Sequence, residues 1–178
     1  MAKRKPGGIA PSVILINPKF AHNVGAALRA CSCFGVRQLI YTGDRIEGDL
    51  AMKGRLPREE RMKGYKDVEL CGCDYPFERL PADAVPVAVE LREGSQPLTF
   101  FQHPEKAVYV FGPEDGSLKN VQVRECHHFI VIPSAHCLNL AAAVNVVLYD
   151  RRVKRQLQGL EPVTQRDILD EHRGVLDA

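Results

Sequence analysis

Ser12-Val-Ile-Leu-Ile-Asn-Pro-Lys-Phe-Ala-His-Asn-Val-Gly-Ala-Ala-Leu-Arg-Ala-Cys-Ser-Cys-Phe-Gly35 reads as a strand, a loop and a helix. Residues 12–16 are a short β-branched run that Asn17-Pro18 ends, which suits a buried strand followed by a turn. Asn23 stands where a helix N-cap is expected. From there Val24, Ala27, Leu28, Cys31 and Phe34 recur at helical spacing, and Gly35 is a natural residue to close the helix. Gly25 and Arg29, one turn apart, lie on the opposite stripe. Outward from this unit, apolar β-favouring runs recur at 38–41, 85–89, 107–111 and 129–132, with helix-like or loop segments between them. That alternation predicts an α/β fold built on a mostly parallel sheet. Residues 139–152 read as a helix that is apolar nearly all round, followed by the basic stretch 151–155. Such a helix is buried on more than one side, which suggests a sheet on one face and a second subunit on the other. Thr164 with Asp167 resembles the cap of a last helix running to about residue 173.

The 178 residues are enough for one well-formed core, and no composition shift marks a break between two large domains. The expected organisation is a basic N-terminal arm (1–11), one domain (12–153) and a C-terminal helical extension (154–178). Hydrophobic content of 45% with 26% charged residues excludes disordered and fibrous classes. The longest apolar run, 140–149, is broken by Asn145 and too short to span a bilayer. The basic N-terminus lacks the apolar stretch and cleavage site of a signal peptide. No membrane association and a cytoplasmic location are therefore expected. The six cysteines then read as reduced thiols, and their C-x-C pairs lack the spacing of structural zinc sites, so no metal is expected. Net charge of +2 is a weak pointer to a polyanionic partner. Local clustering says more: Lys53, Arg55, Arg58, Arg61, Lys63 and Lys66 face only Glu59 and Glu60. This segment reads equally as a phosphate-binding surface or as a solvated face.

Three stretches carry residue types that are odd for pure structure: Asn17-Pro-Lys-Phe-Ala-His-Asn-Val-Gly-Ala-Ala-Leu-Arg29, Val108-Tyr-Val-Phe-Gly-Pro-Glu-Asp-Gly116 and Ile132-Pro-Ser-Ala-His-Cys-Leu-Asn-Leu-Ala-Ala-Ala143. In order and content they resemble the three signature motifs of the SpoU, or TrmH-like, branch of the SPOUT RNA methyltransferases. The resemblance covers about residues 12–152. It implies an α/β fold, a mostly parallel sheet with helices on both faces, whose C-terminal part forms a deep trefoil knot, a rare exception to ordinary chain connections. It further implies S-adenosyl-L-methionine as cofactor, RNA (tRNA most of all, rRNA less so) as substrate, methyl transfer to a ribose 2'-hydroxyl, and a homodimer. The absence of a G-x-G-x-x-G fingerprint after the first strand agrees with a cofactor site unlike the Rossmann one. The alternative is a knotted RNA-binding or chaperone module that has lost methyl transfer.

The resemblance assigns Arg29, Asn23, Glu114 and Asn139 to catalysis. It assigns Glu90, Gly112, Ile132, Cys137 and Leu138 to the cofactor, the last of these together with Ile132 through backbone groups. Lys53, Arg55, Arg58 and Arg61 are the RNA-binding candidates. From residue type alone Arg29 is a solvent-facing helix arginine, Glu114 an exposed turn acid, Gly112 a turn glycine, and Ile132 or Leu138 plain core. Asn139 also suits a helix cap. In the family Glu114 helps hold the arginine and the loops. The chain departs from the pattern at Cys137, where many relatives have serine, and in a loop from Ile132 to Asn139 that is shorter than in several of them.

Overall fold

A computed structural model describes residues 11–48 and 67–161. The strands are β1 (Ser12–Leu15), β2 (Gln38–Tyr41), β3 (Glu69–Gly72), β4 (Val85–Val89), β5 (Gln96–Pro97), β6 (Ala107–Phe111) and β7 (His128–Val131). They form one seven-stranded sheet in the order β3-β2-β1-β6-β4-β7-β5, and every pairing is parallel. The named α-helices are α1 (Ala21–Cys33), α2 (Asn120–Glu125) and α3 (Leu140–Leu157).

Alternation along the central strands splits the core into two layers. Val13, Leu15, Tyr109 and Phe111 face α1 and α3, packing with Val24, Leu28, Val144 and Leu148. Ile14, Val108 and Val110 face the other way, onto Leu118, Cys126 and the partly buried Phe77 and Val123. Helices therefore cover both faces, unequally: among the described residues one face carries α1 and α3, the other the short α2 and the turn at Pro76–Arg79. Burial pushes the Cys31 and Cys126 thiols up, the latter to about 12, as expected of thiols that behave as small apolar side chains.

Several expectations shift. The N-cap of α1 is Phe20, not Asn23, which lies inside the first turn and is 3% exposed. Periodicity marks where a helix is apolar, not where its first turn begins. Strand β7 starts and ends one residue earlier than the apolar run suggested, so Ile132 belongs to the loop. The edge strands β3 and β5 lack an apolar signature, and β5 contains Pro97, which only an edge position tolerates. Helix α3 continues past 152 to Leu157, through the 153/154 boundary expected from sequence. The reason lies in the basic stretch itself. Arg151, 6% exposed, donates to the carbonyls of Pro104 and Glu105 at 2.8 Å each. Lys154 donates to those of Leu98 and Phe101. Basic residues here staple the helix to the 98–105 segment. Residues 164–173 and the basic segment 53–66 lie outside the described residues.

Between β4 and β5 the connection 90–95 spans the C-terminal end of β7, because β7 is inserted between those two strands. Glu90 N–H donates to Ile130 O at 2.9 Å, fixing the start of that span. The motif-bearing loops thus all leave the same edge of the sheet, the C-terminal ends of β1, β6 and β7, where ligands of parallel α/β sheets are bound.

His103, whose side chain is 2% exposed, lies 2.6 Å from the Tyr109 hydroxyl through Nδ1 and 2.8 Å from Asp150 through Nε2. The neutral ring satisfies both when Nε2–H donates to the carboxylate and Nδ1 accepts from the hydroxyl. Burial holds the imidazole below its ordinary 6.5, with Asp150 opposing as the smaller effect. The unfolded chain therefore takes up this proton first, and stability present above pH 6.5 is lost as the pH falls through the folded value. Urea midpoints should fall on acidification below about 6.5, and His103→Gln should flatten that dependence; an unchanged slope in the variant refutes it.

Candidate active site

The loop after β1 is fixed before α1 begins. Asn17 adopts φ +47, a left-handed value that asparagine tolerates, and its N–H donates to Thr42 Oγ1 at 3.0 Å. Lys19 N–H then donates to Glu114 Oε2 at 2.7 Å. Phe20 follows in extended conformation as the cap residue, although its side chain cannot cap. Its carbonyl accepts from Asn23 N at 3.0 Å.

Three distant segments meet through two amides. Asn23 Nδ2 donates to Glu114 Oε1 at 2.7 Å, and Asn139 Nδ2 donates to Asn23 Oδ1 at 3.0 Å. Asn139 Oδ1 in turn accepts from Ala141 N and Ala142 N, so Asn139 does cap α3 as its residue type suggested. Glu114 and its neighbours are held from the outside as well. Asp115 forms a two-pronged pair with Arg45, at 2.9 and 2.7 Å, and receives Lys19 Nζ at 3.3 Å. The Arg45 guanidinium, aided by Lys19, holds the Asp115 carboxyl well below the usual carboxylate range.

These loops enclose a cleft of about 900 Å³, within the range of sites for small organic ligands. Glu90, Gly112, Glu114, Ile132, Cys137, Leu138 and Asn139 all line it, so every cofactor candidate and two of the four catalytic candidates share one wall system. Asn23 stands behind, bonded to Glu114 and Asn139. Leu138 is 41% exposed, which removes the reading of plain core for it. Gly112 does not adopt a left-handed φ, so its conformation does not demand glycine. A Cβ there would stand against Leu118 N at 3.4 Å and Glu90 Oε2 at 3.5 Å, filling space at the cleft wall. Glu90 Oε2 itself accepts from Leu118 N at 3.0 Å, tying the loop after β4 to the loop after β6.

Arg29 is placed differently. It is exposed on α1, six residues after Asn23, a rise of about 9 Å along the axis, and does not line the cleft of its own chain. Glu114 accepts from Asn23 Nδ2 and from the Lys19 amide, which ties it to the loop and the helix that carry the arginine. Lys53, Arg55, Arg58 and Arg61 lie outside the described residues. Sequence reading missed Lys19, Phe20, Arg45 and Asp115. An exposed aromatic at a helix cap and an acid directly after a motif glutamate were the available signals. Among the described residues no group of three His, Cys, Asp or Glu side chains is arranged to hold a metal ion, and no helix is long and apolar enough to cross a membrane.

Asn139 carries both a cap and a site contact, and the two separate by mutation. Asn139→Ala should cost about 1–2 kcal/mol in urea unfolding. Asn139→Asp keeps an acceptor for both α3 amides but loses the donor to Asn23, and should recover most of that stability. Equal losses in the two variants would show that the cap contributes nothing.

The SpoU rRNA Methylase family matches residues 10–149. The chain is 28% identical, over 93% of its length and 77% of the relative's, to the tRNA (cytidine-2'-O-)-methyltransferase TrmJ of Methanocaldococcus jannaschii. Among solved structures, the A. aeolicus TrmH/SpoU tRNA modifying enzyme superposes with a TM-score of 0.73 at 22% identity, covering 94% of this chain and 88% of that one. AviRb from Streptomyces viridochromogenes, in complex with AdoMet, superposes with 0.67 at 20% identity over 85% of this chain and 60% of its own. The family match takes in every strand of the sheet and all three loops of the cleft, and the chain belongs to the SpoU rRNA Methylase family.

Proposed function

We propose that this chain methylates a ribose 2'-hydroxyl of tRNA with S-adenosylmethionine as donor. The observation that carries this reading is the Glu114–Asn23–Asn139 chain of hydrogen bonds, which locks the three motif loops around one cleft. The relative named above acts on tRNA cytidine, and a neighbouring structure holds AdoMet.

The cleft suits that cofactor on its own geometry. Gly112 leaves a space that a Cβ would take, beside a carboxylate, Glu90, able to accept from sugar hydroxyls. Ile132 and Leu138 line the cleft where their backbone groups would pair with the adenine edge, and Cys137, exposed at the same wall, stands in place of the family serine. When bound, the cofactor supplies an electrophilic methyl carbon on a sulfonium. The protein has to bring the acceptor oxygen into line, and alignment of this kind is worth about 7–11 kcal/mol. Glu114, Asn23 and Asn139 keep the loops rigid for that purpose. Arg29 grips the phosphate next to the acceptor ribose and lowers the proton affinity of its 2'-hydroxyl. A guanidinium with a pKa above about 12 is a poor base at neutral pH, so this role is preferred to direct proton abstraction.

The reading includes a homodimer. Val146 (38%) and Tyr149 (60%) lie exposed on α3, with Tyr149 edge-on to Phe34 at the end of α1. A two-fold partner laid on this apolar stripe buries it and carries its own Arg29 toward the opposite cleft. A trefoil knot belongs to the same reading. Support comes from family membership and from the 90–95 span across the end of β7, which the chain entering α3 has to pass. Lys53, Arg55, Arg58 and Arg61, with the basic arm, supply phosphate contacts, and six free thiols suit a reducing cytoplasm.

Calorimetric titration with S-adenosylmethionine should show binding, and Arg29→Lys should keep that binding while abolishing methyl transfer. A chain that does not bind the donor is a binding module and refutes the enzyme reading. Mixing Arg29→Ala with a Gly112→Val protein should restore activity if sites are completed across subunits, and no restoration refutes that arrangement.

A further inference from the structure

The first turn of α1 departs from ordinary capping. A position that favours Ser, Thr, Asp or Asn holds Phe20, 43% exposed at the wall of the cleft. Its ring is stacked on the exposed His22 ring, with centroids 5.3 Å apart and planes inclined by 22°, and Lys19 Nζ lies 5.5 Å from the ring centroid. The backbone around it is pinned on both sides, by Lys19 N on Glu114 and by Asn23 N on the Phe20 carbonyl. A local rule broken in this way, with neither a cap bond nor full burial in return, marks a functional position.

We infer that Phe20, backed by His22, is a stacking platform for an unpaired nucleobase of the RNA, the base at or beside the acceptor ribose. This rests on the methyltransferase reading and deepens it. Proteins that act on single-stranded RNA lay splayed bases on aromatic rings, and stacking tolerates every base because each has a π-face. Phe20 therefore fixes where the nucleoside sits next to Glu114 and Asn139, and leaves base identity to other contacts. The parallel His22 ring holds the Phe20 plane, and the nearby ammonium of Lys19 adds a cation–π contact.

The test compares Phe20→Ala, Phe20→Leu, Phe20→Tyr and Phe20→Trp with bulk tRNA and S-adenosylmethionine. Alanine and leucine should each lower kcat/KM for tRNA about 10-fold or more, whereas tyrosine and tryptophan stay within about threefold of the parent. Cofactor affinity by calorimetry should change by less than about twofold in all four, an amount below 0.5 kcal/mol. Emission of the introduced tryptophan should be quenched by tRNA. A leucine variant as active as the parent overturns the platform, because size without a π-face then suffices. A loss confined to cofactor affinity, or unquenched tryptophan in an active variant, overturns it as well. A parent protein that binds no cofactor or transfers no methyl to tRNA instead refutes the methyltransferase reading itself.

Discussion

The buried amide of Asn23 is the constraint on which the site depends. A primary amide has one donating and one accepting end, and here the donating end meets an acid, Glu114, while the accepting end meets the donor of another amide, Asn139. Asn139 in turn gives its own oxygen to the first-turn amides of α3, so its orientation is decided by the helix it caps. Orientation therefore passes from a helix terminus through two side chains to a carboxylate. Neither aspartate nor leucine at position 23 preserves the relay: aspartate would face Glu114 with like charge, and leucine would strand both partners, at about 1–3 kcal/mol for each unsatisfied group. The segments joined in this way are 91 and 116 residues apart in sequence, and only a parallel sheet that presents all its strand ends on one edge brings them together.

That relay needs α3 to hold its height along the sheet, and the far half of the helix provides this. Asp150, Arg151 and Lys154 bond His103 and the carbonyls of the 98–105 segment, while Tyr109 closes the cluster from the central strand β6. The charges are nearly all satisfied by backbone oxygens or by one another, which is the condition for burying them without a large penalty. Arg151 and Lys154 of the basic stretch are thus part of the frame. The same helix is fixed at its N-terminus by a cap and in its second half by a polar staple, with the apolar stripe of Val146 and Tyr149 left outward between them.

The sheet and both long helices are legible in the sequence because apolar periodicity in residues 12–16, 24–34 and 140–148 reports burial directly. Edge strands are not, since β3 and β5 bury little and their hydrogen bonds leave no trace in side-chain pattern. The cap of α1 is misread for a related reason. Asn23 has the chemistry of a cap, but its amide is committed to a partner 91 residues away, and the backbone turns three residues earlier at Phe20. Of the site, residue types combined with family resemblance point to positions that line one cleft, Glu90, Gly112, Ile132, Cys137 and Leu138 among them. Periodicity alone gives none of the distances. The Arg45–Asp115–Lys19 cluster is invisible for the same reason: ion pairs across loops have no spacing to read.

Arg29 and the cleft illustrate how a fold can divide a site between rigidity and access. The cleft is assembled by side chains whose hydrogen bonds are internal to one chain, and its outer wall, residues 133–139, remains exposed, with Ser134 bonding only its own loop carbonyls at Ile132 and His136. The loop is anchored at its end by Asn139, which caps α3 and bonds Asn23. The guanidinium, by contrast, rides on a rigid helix about two turns from the relay and outside its own cleft. Rigid-body motion of α1 cannot bring it inward, because Val24, Ala27, Leu28 and Cys31 seat the helix on the sheet with little or no exposed surface. Under the proposed function, therefore, the acceptor strand or a second subunit's cleft is the element that has to come to Arg29.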